Sequence, residues 1–324
     1  MQKVGSRSRV LSVRSGGAAV AAAALVALLL QPGASALALK NREAGHGSGT
    51  NITPLGRVRA PAGSATAIGF CGGDDWEPDI APDPSSPYVY AIIAHFPGDP
   101  TCDPASGNQN RAYVRVSSNG GSTWGPLRVI ADSIGGTTYP SQVDVTDTVD
   151  PATGYVYGSF LAYGVGGSAK ADVALVRSTD HGTTWTSQKI NVGCTNCDHP
   201  WIVARNHVIY VAYDQGKAHY IAMSTDDGRT WSESLVGSFD IVAFAEGAVE
   251  DAAGNVYFAW GDCTKSSCSG NAVGDYSVSK TLAGTLTTTF SHVATAPAGP
   301  ACPYNPNCGF AFFGVQDDIA IDAA

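Results

Sequence analysis

One eight-residue phrase occurs three times in the chain: Ser117-Ser118-Asn119-Gly120-Gly121-Ser122-Thr123-Trp124, Ser178-Thr179-Asp180-His181-Gly182-Thr183-Thr184-Trp185 and Ser224-Thr225-Asp226-Asp227-Gly228-Arg229-Thr230-Trp231. All three fit S-x-(D/N)-x-G-x-T-W, and each follows a short β-like run. A phrase that returns every several dozen residues marks a repeat architecture, because each unit buries its apolar face only against its neighbours. The chemistry of the phrase is that of a hairpin turn. An Asp or Asn side chain accepts backbone N–H groups, and Gly supplies a positive φ. Ser and Thr add local side-chain-to-backbone bonds. The Trp is a large apolar plug suited to the space between sheets.

A second phrase precedes each turn. Asp83-Pro84-Ser85-Ser86-Pro87-Tyr88-Val89-Tyr90 matches Asp150-Pro151-Ala152-Thr153-Gly154-Tyr155-Val156-Tyr157, and Val208-Ile209-Tyr210 and Asn255-Val256-Tyr257 continue the series. Each copy predicts a strand, a turn and a second strand: Tyr88–His95, Tyr155–Tyr163, Val208–Tyr213 and Val256–Trp260. A third strand runs into the repeated turn and a fourth leaves it. Four antiparallel strands per unit make one blade of an all-β propeller. Ser279 to Leu286 reads as a fourth, worn copy that keeps Ser and Thr but loses Asp, Gly and Trp.

The repeated phrase resembles the Asp-box, or bacterial neuraminidase repeat, of sialidase-type β-propellers. The resemblance covers residues 70–290 as a scaffold. It implies six blades of four-stranded antiparallel sheet with Asp-box hairpins. Against that count the chain reads as four blades and the start of a fifth, an incomplete or truncated ring, since Asp322-Ala323-Ala324 falls at the same point of the repeat as Asp251-Ala252-Ala253. Asn119, Gly121, Trp124, Asp180, Gly182, Trp185, Asp226, Gly228 and Trp231 are the structural Asp-box positions.

Residues 1–36 read as a Sec-type signal peptide. Lys3, Arg7, Arg9 and Arg14 precede the apolar run Ala18 to Leu30, and Ala34-Ser35-Ala36 is a small-residue cleavage site. Residues 37–65 form a flexible leader in which Pro54 to Arg59 could supply a ring-closing strand, and residues 66–324 form the propeller. The expected location is therefore extracellular. Without residues 1–36, which hold four of the 19 Lys and Arg and none of the 28 Asp and Glu, the net charge moves from −9 to −13. Such a charge argues against nucleic acid or an anionic membrane as partner.

Strand parity sorts the loops. The turns between strands 1 and 2 and between strands 3 and 4 of a blade share one face, so the Asp-boxes lie there as structural devices. The loops between strands 2 and 3 and the links between blades share the other face. All eight cysteines, Cys71, Cys102, Cys194, Cys197, Cys263, Cys268, Cys302 and Cys308, fall on that second face. An even count in an exported chain reads as disulfides, with Cys71–Cys102, Cys194–Cys197, Cys263–Cys268 and Cys302–Cys308 as the expected pairs. Cys194-x-x-Cys197-Asp198-His199 could instead contribute to a zinc site.

The first strand of each blade begins on the cysteine-bearing face. It opens with Trp76-Glu77-Pro78-Asp79, Gln142-Val143-Asp144, Asp198-His199-Pro200-Trp201, Glu246-Gly247 and Gln316-Asp317-Asp318. Each carries an acid at nearly the same register, so a ring of acids should surround the channel mouth. Glu77, Asp79, Asp144, Asp198 and Glu246, with Tyr163 and Tyr213, are the catalytic candidates. Arg111, His95, His199, Asp214 and Asp262 are candidates for holding substrate. Paired carboxyls suit glycoside hydrolysis, hard oxygens suit a structural Ca²⁺, and acids at strand starts also serve simply to accept backbone amides.

The resemblance further implies three arginines on a sugar carboxylate, a Tyr nucleophile paired with Glu, and an Asp acid/base. No Arg-Ile-Pro motif is present, and of the nine arginines beyond residue 36 only Arg111 is well placed. By resemblance the chain is a secreted hydrolase of terminal glycan sugars, of exo-α-sialidase type, with no required cofactor. The alternative is a non-catalytic propeller that binds glycan or protein through its disulfide-stapled face. A third reading is a decayed product without activity.

Overall fold

The computed structural model describes residues 73–97, 109–165, 170–190, 197–238, 243–263, 273–297 and 319–320. These residues build four sheets. The first holds β1 (Gly73–Pro82), β2 (Val89–Pro97), β3 (Arg111–Ser117) and β4 (Arg128–Val129). The second holds β5 (Ser141–Val149), β6 (Val156–Tyr163), β7 (Ala171–Ser178) and β8 (Thr186–Lys189). The third holds β9 (Cys197–Arg205), β10 (Val208–Gln215), β11 (Ala218–Ser224) and β12 (Ser232–Ser238). The fourth holds β13 (Ala243–Glu250), β14 (Val256–Cys263), β15 (Val273–Thr281) and β16 (Thr288–Pro297). Every sheet is an antiparallel meander in chain order. The leader, the fifth-blade start with Gln316-Asp317-Asp318, and every cysteine except Cys197 and Cys263 lie outside the described residues.

Apolar side chains between successive sheets form the core. Ala112, Val114, Val143, Leu161, Val173, Leu175, Ile202 and Ile209 belong to one buried cluster spanning the first three blades. Tyr210, Ile221, Phe258 and Trp260 form a second cluster between the third and fourth. Strands buried on both faces need near-continuous apolar runs, and β6 is buried at every position but its last.

The repeated turns share one hydrogen-bond scheme. Ser178 Oγ donates to Asp180 Oδ1 (2.8 Å) and accepts Gly182 N (2.8 Å), Thr184 N donates to Asp180 Oδ1 (2.9 Å), and Trp185 Nε1 donates to Gly182 O (3.2 Å). Ser224, Asp226, Gly228, Thr230 and Trp231 repeat every one of these bonds. Ser117, Asn119, Gly121 and Thr123 repeat the first three. Hydrogen bonds from Thr184 hold the Asp180 carboxylate at a pKa of about 2, and those from Thr230 do the same for Asp226. Carboxylates held this way cannot act as acids near neutrality, which fits a structural role.

The fourth turn departs from the expected alignment. Val89, Val156 and Ile209 pair with Ser117, Ser178 and Ser224, and the equivalent Val256 pairs with Thr281, not Ser279. Ser279 lies two residues earlier, within the ladder, where it accepts Trp260 Nε1 at 2.8 Å. Matching residue types in sequence slipped the alignment by two, one full strand period, which keeps side chains on the same face and so hides the error.

Candidate functional site

The first strand of each blade breaks register near its start. The breaks fall between Trp76 and Asp79 in β1, between Val143 and Thr146 in β5, opposite Ala212 and Asp214 in β9, and between Ala245 and Gly247 in β13. These are β-bulges, which re-aim side chains and recur beside functional sites. Three of them place a non-glycine residue at positive φ: Glu77 (52°), Asp144 (54°) and His199 (47°). A left-handed non-glycine residue costs about 1–3 kcal/mol and persists only where its surroundings impose it. Pro78 and Pro200 follow directly, at bulge positions where a missing N–H leaves no ladder bond unmade.

The bulges bring three carboxyls from successive blades together. The Asp144 carboxyl is hydrogen-bonded to those of Glu77 and Asp198. Burial, then the negative charges of Glu77 and Asp198, push Asp144 well above the usual carboxylate range. Asp198 is also raised, chiefly by burial, with His199 and the bond from Asp144 pulling the other way. Asp214 lies directly across the ladder from Asp198, is 1% exposed, and is pushed up by burial and then by Asp198. Burial and mutual repulsion thus disfavour the charged forms of Asp144, Asp198 and Asp214 together, so these three titrate as a coupled set.

Other predicted residues take different places. Asp79 accepts Asp147 N at 2.7 Å, one rung below the cluster, and its charge, after burial, raises the Asp147 carboxyl. Glu246 is buried in the β13 bulge and Asp262 is buried near the end of β14. His199 Nδ1 lies 3.0 Å from Ala245 O, tying the third blade to the fourth, while its own N–H donates to Asp198 Oδ1 (3.1 Å). Tyr163, at the end of β6, packs against the first core cluster. His95 is buried edge-on to Tyr113, and its ladder partner Arg111 donates to Gln109 Oε1 at 2.6 Å.

Tyr213 is not brought to the cluster. Its hydroxyl donates to Glu233 Oε2 on β12, the outermost strand, and its ring stacks on Tyr220 at 5.6 Å. A Tyr–Glu pair is what the resemblance implies, but here burial pushes the phenol further from ionisation. Sequence parity gave the correct end of the strand and not the direction of the side chain. Gln142 is structural: its amide bridges Ala112 N (3.0 Å) and Ala131 O (2.9 Å).

Among the described residues no Lys or Arg forms a salt bridge with Glu77, Asp144, Asp198 or Asp214. Nor do any three His, Cys, Asp or Glu side chains among them form a metal-holding group. Cys197 is disulfide-bonded, which removes it as a zinc ligand.

No protein-family model matches this sequence, and no curated protein matches it. Solved structures do match its fold. NanB, a sialidase from Streptococcus pneumoniae, aligns in its complex with Optactamide at a TM-score of 0.50 and 12% identity, over 69% of this chain and 53% of that one. The Hadza microbial sialidase Hz136 aligns at 0.44 and 16%, over 69% and 46%. The intramolecular trans-sialidase from Ruminococcus gnavus, with oseltamivir carboxylate, aligns at 0.45 and 11%, over 71% and 69%. The NanB alignment shows that the chain has the fold of the sialidase-type β-propellers. It spans about half the length of NanB and of Hz136.

Proposed function

We propose that this chain is a secreted glycoside hydrolase of sialidase-like fold, acting on terminal sugars of glycans at the Glu77–Asp144–Asp198 cluster. The observation that carries the reading is the Asp144 carboxyl, hydrogen-bonded between two others at the left-handed bulges of successive blades. A carboxyl raised in this way keeps its proton toward neutrality and can deliver it to a glycosidic oxygen. The flanking negative charge then faces the positive charge that develops on the sugar ring as the bond breaks. That chemistry requires no cofactor. The signal-like N-terminus supports export, and the fold supports a glycan as partner. Exo-α-sialidase activity is the finer form suggested by the named fold neighbours.

Among the described residues no Lys or Arg pairs with the cluster, which favours a second reading. In it the propeller binds glycan or protein without turnover. The deciding experiment incubates the folded chain with fluorogenic glycosides of neutral sugars, amino sugars and sialic acid. Sugar release supports the hydrolase. Saturable binding without release sinks it and leaves the binding propeller.

A further inference from the structure

The innermost strand of each blade is a sheet edge, so part of its N–H and C=O groups point away from its own ladder. Such groups need partners when buried. At each junction between blades a side chain of the preceding inner strand supplies one. Asp79 is the first residue of β1 back on the ladder after its bulge, and its Oδ2 accepts Asp147 N of β5 at 2.7 Å. Thr146 holds the same position in β5, and its Oγ1 donates to Pro200 O, inside the β9 bulge, at 3.2 Å. In β9 that position is Trp201, and the bulge residue His199 makes the link instead, with Nδ1 3.0 Å from Ala245 O at the edge of the β13 bulge.

These links stand next to the carboxyls in the chain. Glu77 lies two residues before Asp79, Asp144 two before Thr146, and Asp198 two before Pro200. Thr146 is buried, and a hydrogen bond in the interior is electrostatically stronger than one in water. The Asp79 carboxylate is held at both oxygens, because Oδ1 accepts Ile80 N at 2.9 Å. The left-handed residues Glu77, Asp144 and His199 need surroundings that impose their conformation, and these links between blades are such surroundings.

We propose that Asp79 and Thr146 are positioning residues of the carboxyl cluster: by tying each bulge to the next blade they hold Glu77, Asp144 and Asp198 within hydrogen-bonding distance of one another. The role rests on the hydrolase reading for its catalytic meaning, but the geometry it asserts can be read without substrate. Without Thr146 Oγ1 the β9 bulge relaxes and Asp198 withdraws from Asp144. Asp144 then faces less negative charge and ionises more readily. The titratable groups that bear on it are Glu77 of β1, Asp198 of β9 and Asp214 of β10, with His199 beside Asp198.

The test is a carbon-13 NMR titration of the Asp144 carboxyl in the full mature chain, without substrate. Thr146→Val keeps the shape of the side chain and removes the hydroxyl. It should lower the Asp144 pKa by about half a unit to one unit, the worth of one hydrogen bond. Thr146→Ser restores the donor and should titrate like the wild-type chain. Asp79→Ala should lower the Asp144 pKa from the side of the first blade. Asp79→Asn, whose amide oxygen still accepts Asp147 N, should not; if Asp79→Ala does not fold, the two Thr146 variants decide. A folded Thr146→Val chain in which Asp144 titrates as in the wild type overturns the proposal. So does a Thr146→Ser chain shifted as far as Thr146→Val. Should the titrations move as expected while the wild-type chain releases no sugar, the hydrolase reading falls and the positioning role stands.

Discussion

The carboxyls of Asp144 and Asp198, on the innermost strands of two successive blades, are hydrogen-bonded to each other. Neither residue is near the other in sequence, and each reaches the contact through a bulge in its own strand. The pair, with Glu77, sets the expected pH dependence of turnover. The active form needs a proton on Asp144 and negative charge beside it, so kcat/KM should be bell-shaped. Its alkaline limb follows loss of the Asp144 proton and should lie above the ordinary Asp pKa of about 4. A pH–rate profile with an alkaline limb at ordinary carboxylate pH would remove Asp144 from the acid role.

The glycines of the repeated turns should differ sharply in tolerance. At Gly228, φ is +81° and an added Cβ would sit 2.4 Å from Leu175 Cδ2. At Gly284, φ is +65° and nothing lies within 4 Å. Gly228→Ala combines backbone strain with overpacking and should destabilise by about 2–4 kcal/mol. Gly284→Ala carries only the strain, about 1 kcal/mol. Urea unfolding of both variants checks the difference; equal losses would contradict the close approach of the third turn to the second blade.

One tyrosine per blade fastens it to the next turn. Tyr90 reaches His181 Nδ1 (3.4 Å), Tyr157 donates to Asp227 Oδ1 (3.3 Å) and Tyr210 donates to Leu282 O (3.3 Å). Tyr157→Phe should cost about 1–2 kcal/mol, because it leaves a buried acceptor short of a donor. The same change at Tyr257, whose hydroxyl donates to Asp251 Oδ2 within its own blade, should leave coupling between blades intact. Hydrogen exchange that stays uniform across the second and third blades in Tyr157→Phe would count against this role.

Burial pushes Glu250 up to about 7 from 4.5, against the pull of Arg205. A carboxyl raised in the folded state holds a proton that the unfolded chain has already released. Its effect on stability is therefore nil below the unfolded value and grows unfavourable as pH rises from 4.5 to about 7. Glu250→Gln should flatten the fall of Tm across that window. An unchanged slope would show that Glu250 titrates normally.

Much of this was legible in the sequence because the repeat carries its own chemistry. The S-x-(D/N)-x-G-x-T-W turns and the Asp-Pro and Tyr-x-Tyr phrases are local, and local hydrogen bonds made within eight residues need no tertiary information. The acid at each strand start gave the correct end of the blade. The bulges at Glu77, Asp144 and His199 were not legible, because a left-handed residue there is imposed by the neighbouring inner strand and no glycine marks it. For the same reason Asp79 and Asp144, alike in sequence context, separate in space. Asp79 meets Asp147 while Asp144 meets Glu77 and Asp198. Tyr213 stands apart from the carboxyl cluster because its side chain turns toward Glu233, a residue of the outer strand that no motif points to.

The most direct measurement is turnover by Asp144→Asn beside its thermal stability at neutral pH. The amide keeps the shape and can still donate to Glu77 and Asp198, but it has no proton to give and no charge to bury. The account predicts that the variant loses sugar release by at least about two orders of magnitude while its Tm matches or exceeds that of the wild-type chain. Undiminished release from a folded Asp144→Asn chain would contradict it.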